Sequence, residues 1–231
     1  MQERYETDGY LVLDNLLPAD HIAGLRSQMD DIAGGKTDFP NANVEFEPGS
    51  QAIRKINQCA ENDPVFRAHA EHPAILDIVE SLIGPAIKLF ASQCFMKPPG
   101  GIEKRWHQDS AYFCIEPMNL VTCWTALDDV TVANGGMWVI PGSHQKGLVE
   151  HARWQLGDRE DKQVELPDNI SQQAIEMPAG SCSFHHSLLL HRSGPNRTDQ
   201  PRRGLAVHYM AADCRWTDPS IPEPDYPLLR G

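Results

Sequence analysis

No run of about 18 apolar residues occurs in the 231-residue chain, so nothing in it reads as a membrane-spanning helix. Positive charge is also scarce: 20 Lys and Arg against 32 Asp and Glu leave a formal net charge of -12. Nucleic acid and anionic membrane surfaces both need a positive footprint, so neither is expected as a partner. The six cysteines show no CxxC spacing, which argues against a zinc ribbon and against a disulfide framework. Cys94, Cys114 and Cys123 sit among apolar or aromatic neighbours and read as reduced, buried thiols. Internal repeats, low-complexity tracts and linkers are missing, and "MQERYETDGY" lacks the basic start and apolar run of a signal peptide. The cytoplasm is the expected location. "PGSH" at 141–144 lacks a G-x-S-x-G elbow and reads as a turn, not a hydrolase nucleophile.

What is present suits one globular domain over residues 1–231, since a chain of this length buries a sizeable core. A short strand is expected around Tyr10 to Leu13. After Pro18, Ile22, Leu25, Met29 and Ile32 recur at helical spacing up to Gly34-Gly35. Residues 36–51 have no periodicity and carry Pro40, Pro48 and Gly49; a loop this long is a candidate lid, with Phe39 and Phe46 as its apolar contacts. "DPVFRAHAEHPAILDIVESLIGP" is a second helical region, with Ile75, Ile78, Val79 and Leu82 on one face. From about residue 86 the apolar runs are short and bounded by Gly, Pro and Asn, as strands are. A helical N-terminal third before an all-β remainder predicts a mainly β protein with flanking helices: a double-stranded β-helix (jelly roll, cupin-like) with helices packed on one sheet.

The chemistry-bearing stretch is "KRWHQDSAYF". On a strand, His107 and Asp109 point to the same side and present an imidazole and a carboxylate to one point. Downstream, "FHHSLLLHRSGPN" offers His185, His186 and His191 as a third ligand. Two histidines and one carboxylate on one face form the facial triad of non-haem Fe(II) oxygenases. The context of "HRSGPN" favours His191, leaving His185 as a buried hydrogen-bonding histidine and His186 facing away. "HRSGPNRTDQPRRG" reads as strand, turn and returning strand. Its Arg202 could clamp the far carboxylate of 2-oxoglutarate through two charge-assisted hydrogen bonds. Gly204 and Ala206 share the face of Arg202 and leave room for a ligand; Leu205, Val207 and Tyr209 share the face of Arg203 and read as core. Asp128-Asp129 reads as a solvated strand end, and His144 and His208 as structural or as neighbours that support the metal ligands. Tyr112 and Phe113 are candidate substrate contacts, with core packing as the competing role.

"SQCFMKPPGG", "WHQDSAYF", "LVTCWTALDDV", "NGGMWVIPGSH" and "HRSGPNRTDQPRRG", in this order, resemble the phytanoyl-CoA dioxygenase family of Fe(II)/2-oxoglutarate-dependent oxygenases, over roughly residues 5–212. The resemblance implies a double-stranded β-helix with His107, Asp109 and His191 as iron ligands. It implies Arg202 and Ser193 on the distal carboxylate of 2-oxoglutarate, with Gln93, Trp124 and Lys55 lining the co-substrate pocket. Family members that halogenate replace the carboxylate ligand with a small residue. Asp109 is retained here, which favours hydroxylation of a small organic molecule with Fe(II), 2-oxoglutarate and O2. Competing readings are a cupin-like metalloenzyme of another type (an isomerase or hydrolase) and a catalytically silent binding jelly roll.

Overall fold

The structure is a computed structural model and describes residues 1–156, 159–167 and 169–231. Among these residues five helices and sixteen strands follow one another, beginning with α1 (Gln2–Asp8), β1 (Tyr10–Leu13), α2 (Ala19–Ala33), β2 (Val44–Phe46), β3 (Ile53–Asn57), α3 (Cys59–Asn62), α4 (Pro64–Ala70) and α5 (Pro73–Ile83). There follow β4 (Ile87–Lys97), β5 (Lys104–His107), β6 (Ile115–Glu116), β7 (Leu120–Ala126), β8 (Met137–Val139), β9 (Ala152–Leu156) and β10 (Arg159–Gln163). The last are β11 (Gln173–Ile175), β12 (Cys182–His186), β13 (His191–Ser193), β14 (Arg202–Ala211), β15 (Arg215–Trp216) and β16 (Leu228–Arg230).

A major sheet runs β1-β12-β7-β14-β4-β3-β2, with β16 on β4, and a four-stranded sheet runs β11-β8-β13-β5. All pairings are antiparallel, as the jelly-roll expectation requires. Strand parity divides the major sheet. Leu205, Val207 and Tyr209 of β14, Cys123 of β7 and Phe184 of β12 join Leu25, Met29, Phe66, Ile75 and Val79 of the helices in one buried cluster. The intervening residues, Arg202, Gly204, Ala206 and His208 on β14 and Thr122 and Trp124 on β7, face the other way. Each large side chain in the cluster contributes roughly 1.5–3 kcal/mol by leaving water, so the helix side locks the register that aims the site side.

Two expectations change. The second helical region is two helices, because Pro73 holds His72 extended (φ -62, ψ 124) and starts α5 afresh. The N-terminal third is not purely helical: β2 and β3 extend the major sheet, and Lys55 pairs with Phe95 and Asn57 with Gln93 of β4. Single-residue periodicity misses such strands, because β3 has a mixed, half-buried pattern set by its place next to the cavity.

Candidate metal centre and active-site cavity

The strand carrying His107 ends there. Asp109 opens a single 3-10 turn, Asp109–Tyr112, so the carboxylate is delivered by a turn and not by strand alternation as the sequence suggests. His107 lies directly opposite His191 in the antiparallel register of β5 and β13. Their ring centroids are 4.1 Å apart. Asp109 Oδ1 is 3.7 Å from His107 Nε2 and 3.6 Å from His191 Nε2. One donor atom from each of the three lies within 4.8 Å of the other two.

Backbone carbonyls orient both rings. His107 Nδ1 donates to Arg105 O at 2.8 Å and His191 Nδ1 to Leu189 O at 3.0 Å. Each Nε2 therefore turns its lone pair toward Asp109, the tautomer a metal needs. Behind the carboxylate, Thr122 Oγ1 donates to Asp109 Oδ2 at 3.0 Å, and His208 Nδ1 meets the same hydroxyl at 2.8 Å. His185 Nε2 lies 3.4 Å from Oδ2. Burial pushes His107 well below the usual histidine range and His191 down to about 4, so both are neutral at pH 7. Burial alone would raise the Asp109 carboxyl, but His191, His185 and His208 outweigh it and hold it well below the usual range. A carboxylate and two neutral imidazoles fit a divalent iron.

β12 ends at His186, and a turn carries the chain to the other sheet before His191. His185 thus approaches Asp109 from the major sheet on the oxygen away from the histidine pair, while His186 turns toward Tyr5 and His144. His208, expected as structural or as a neighbour of the metal ligands, lines the cavity with Nδ1 3.9 Å from Asp109 Oδ2.

A cavity of about 910 Å³ adjoins the three residues, and Lys55, Gln93, Trp124, Ser193, Arg202, Tyr112 and Phe113 all line it. Arg202 is 5% exposed and lies 5.2 Å over the Trp124 ring. Its NH2 donates to Gly135 O at 2.8 Å, its Nε has no partner, and among the described residues no carboxylate pairs with it. Burial lowers it to about 10. A buried guanidinium in this condition fits a bound carboxylate. Gly135 takes φ +86, and a Cβ there would lie 2.6 Å from Gly194 O, so only glycine brings this carbonyl to Arg202. The room beside Gly204 is not left for a ligand: a Cβ there would lie 2.0 Å from Trp124 Cζ2, so the ring already occupies it. Ser193 Oγ accepts from Lys97 Nζ at 3.0 Å. Lys55 Nζ is 3.9 Å from Glu45 and 5.7 Å from the Phe95 ring.

Arg203 confirms the parity argument from the other side. It binds Asp128 (Nε to Oδ2, 2.9 Å) and Asp30 (NH1 to Oδ1, 3.0 Å), and Asp128 also meets Arg26 at 3.2 Å. Asp128 is therefore a paired anchor and not a solvated strand end. From the expected lid, Phe46 lines the cavity, but Phe39 is buried in the helix-side core. Tyr112 donates to Asp161 of β10 and accepts from Lys104 Nζ at 2.9 Å, while Phe113 packs on Phe90 (4.6 Å) and His208 (5.1 Å). Sequence reasoning missed Thr122, although it shares strand parity with Trp124. The Lys104 and Asp161 contact carries no sequence signal, because it depends on how the β9–β10 hairpin docks.

A family model described as phytanoyl-CoA dioxygenase (PhyH) matches residues 5–204. A probable phytanoyl-CoA dioxygenase of Caenorhabditis elegans is 33% identical, over 93% of this chain and 76% of its own. The peroxisomal phytanoyl-CoA dioxygenase of Homo sapiens is 30% identical, over 93% of this chain and 68% of its own. The structure of EctD from S. alaskensis with bound Fe is 25% identical with a TM-score of 0.80, covering 96% of this chain and 80% of that one. A match of this extent, on a chain that keeps a His-Asp-His donor set beside a buried arginine, places the protein in the phytanoyl-CoA dioxygenase family as a non-haem Fe(II)/2-oxoglutarate-dependent dioxygenase.

Proposed function

We propose that the protein hydroxylates an aliphatic carbon of a small organic molecule, with His107, Asp109 and His191 as the iron ligands. The observation that carries this reading is a buried guanidinium that pairs with no carboxylate among the described residues, in the cavity that also holds the His-Asp-His set. When bound, iron with 2-oxoglutarate and O2 supplies oxidative decarboxylation to succinate and CO2 and insertion of an oxygen atom into a C–H bond. Arg202 takes the distal carboxylate of 2-oxoglutarate, with the Ser193 hydroxyl beside it and the Trp124 ring under the guanidinium. Gln93 and Lys55 line the same pocket. Tyr112 and Phe113 wall the substrate side, where they hold the target carbon and exclude water. Residues 1–231 act as one catalytic unit, a reading supported by N-terminal strands in the sheet that carries Arg202.

The test is succinate formation from 2-oxoglutarate with Fe(II) across a substrate screen. Asp109→Ala should abolish hydroxylation and weaken iron binding; a fully active variant removes Asp109 from the ligand set. Turnover without O2 would favour an isomerase or hydrolase instead, and binding without turnover a silent jelly roll. Among the described residues, no helix is long and apolar enough to cross a membrane. The cytoplasmic expectation competes with the peroxisomal compartment named for the human relative, and imaging of the tagged chain decides between them.

A further inference from the structure

The residues that face the metal centre from the major sheet form one row. Across β12, β7 and β14, His185 pairs with Thr122 and Thr122 with His208. His208 is 4% exposed and lines the cavity, and its two ring nitrogens differ. Thr122 Oγ1 gives its one hydrogen to Asp109 Oδ2, so it can only accept at its 2.8 Å contact with His208 Nδ1. Nδ1 therefore carries the ring proton. Burial disfavours the imidazolium, and the neutral ring keeps a lone pair on Nε2. That nitrogen is buried, and among the described residues it has no hydrogen-bond partner.

The neighbours of His208 put it on the substrate side. The Phe113 ring meets it edge-on at 5.1 Å, and Phe90 meets Phe113 at 4.6 Å. The pairing of β14 with β4 slips by one residue between His208 and Tyr209, opposite Phe90, a bulge of the kind that re-aims side chains beside a site. The oxygens of 2-oxoglutarate are acceptors at neutral pH, so a lone pair cannot receive them, whereas Arg202 can. A buried acceptor without a donor is costly unless a ligand completes it. The positive charge of Lys55 acts on His208, which disfavours a cationic donor at the same place. We propose that His208 is a specificity-determining residue whose Nε2 accepts a hydrogen bond from a neutral O–H or N–H group of the substrate, so that the substrate is a hydroxyl- or amide-bearing molecule and not a plain hydrocarbon chain. The inference rests on the cavity being the hydroxylation site. An ether or ester oxygen, which only accepts, is rejected at this point of the wall.

The test measures by calorimetry the binding of 1-hexanol and its isomer methyl pentyl ether to the protein loaded with Fe(II) and 2-oxoglutarate without O2. The two probes match in size and both accept, but only the alcohol donates. Wild type should bind the alcohol about tenfold tighter, the scale of one hydrogen bond to a buried acceptor. His208→Phe should abolish the preference, and His208→Gln, which returns an amide oxygen, should restore part of it. Arg203→Ala, on the far face of β14, should keep it whole. Equal affinity for the two probes in wild type, or a preference unchanged in His208→Phe, overturns the assignment. Nitrogen NMR of histidine-labelled wild type loaded with Zn(II) gives a reading that does not depend on any variant folding: a proton on Nδ1 of His208 supports the assignment, and a proton on Nε2 overturns it. A 2-oxoglutarate titration of the same samples separates the two levels. If 2-oxoglutarate binds and the preference is missing, His208 alone is misassigned; if 2-oxoglutarate does not bind wild type, the catalytic reading fails and takes this inference with it.

Discussion

His107 and His191 are held by carbonyls two residues before each of them, so their tautomers depend on local backbone and survive changes elsewhere. Asp109 is different: its orientation depends on Thr122, which reaches it from another strand. Thr122→Val keeps the volume and β-branching but removes the donor. Iron affinity should fall about 10–100-fold with little loss of stability, read by metal titration against thermal unfolding. Unchanged affinity would show that His185 alone suffices to orient the carboxylate. Arg202 and Arg203 make a second pair of contrasts. Arg202→Ala should raise the KM for 2-oxoglutarate on the order of 100-fold, the scale of a buried charge pair losing one member, with iron binding intact. Arg203→Ala should leave that KM alone and cost about 1–2 kcal/mol of stability, because its partners Asp128 and Asp30 are partly exposed. The opposite outcome would invert the strand-parity assignment.

At the scale of elements, the β9–β10 hairpin deserves a role of its own. It docks on β5 through Arg105 NH1 to Gln163 Oε1 (2.7 Å), Val164 N–H to Trp106 O (2.7 Å) and the Arg105 guanidinium 4.7 Å over Trp154. Lys104, Asp161 and Tyr112 close the same contact at the cavity wall. Although burial raises the Asp161 carboxyl, Lys104 and Tyr112 outweigh it and hold it well below the usual range, so it stays ionised through neutral pH. Asp161→Asn should weaken the latch by about 1–2 kcal/mol, seen as roughly tenfold faster amide exchange over residues 160–163 with the sheet core unchanged. Exchange that stays at the wild-type rate would mean the backbone contacts hold the hairpin unaided.

Across the whole molecule, the helices and the site sit on opposite faces of one sheet, and buried histidines couple that packing to pH. His69 of α4 is fully buried, with Nδ1 3.0 Å from His21 Nε2 and Nε2 3.2 Å from Thr125 Oγ1. Burial lowers it to about 3, against about 6.5 in an unfolded chain. Between those values the unfolded state binds a proton that the folded state refuses, so stability is lost as pH falls through the window. His69→Gln should flatten that acid limb by about 1.4 kcal/mol per pH unit in denaturant midpoints between pH 4 and 6; an unaltered slope assigns the loss to other groups. The amino-acid sequence by itself determined the donor types, the ordered motifs and, through alternation along one strand, that Arg202 and not Arg203 faces the cavity. These are local properties, set by which residues sit two apart. Only the tertiary structure decided that Asp109 arrives on a turn, that Thr122 and His185 hold it, and that Trp124 fills the space at Gly204. Each of these depends on the register between strands distant in the chain, which is fixed by burying the apolar face of the sheet under the helices.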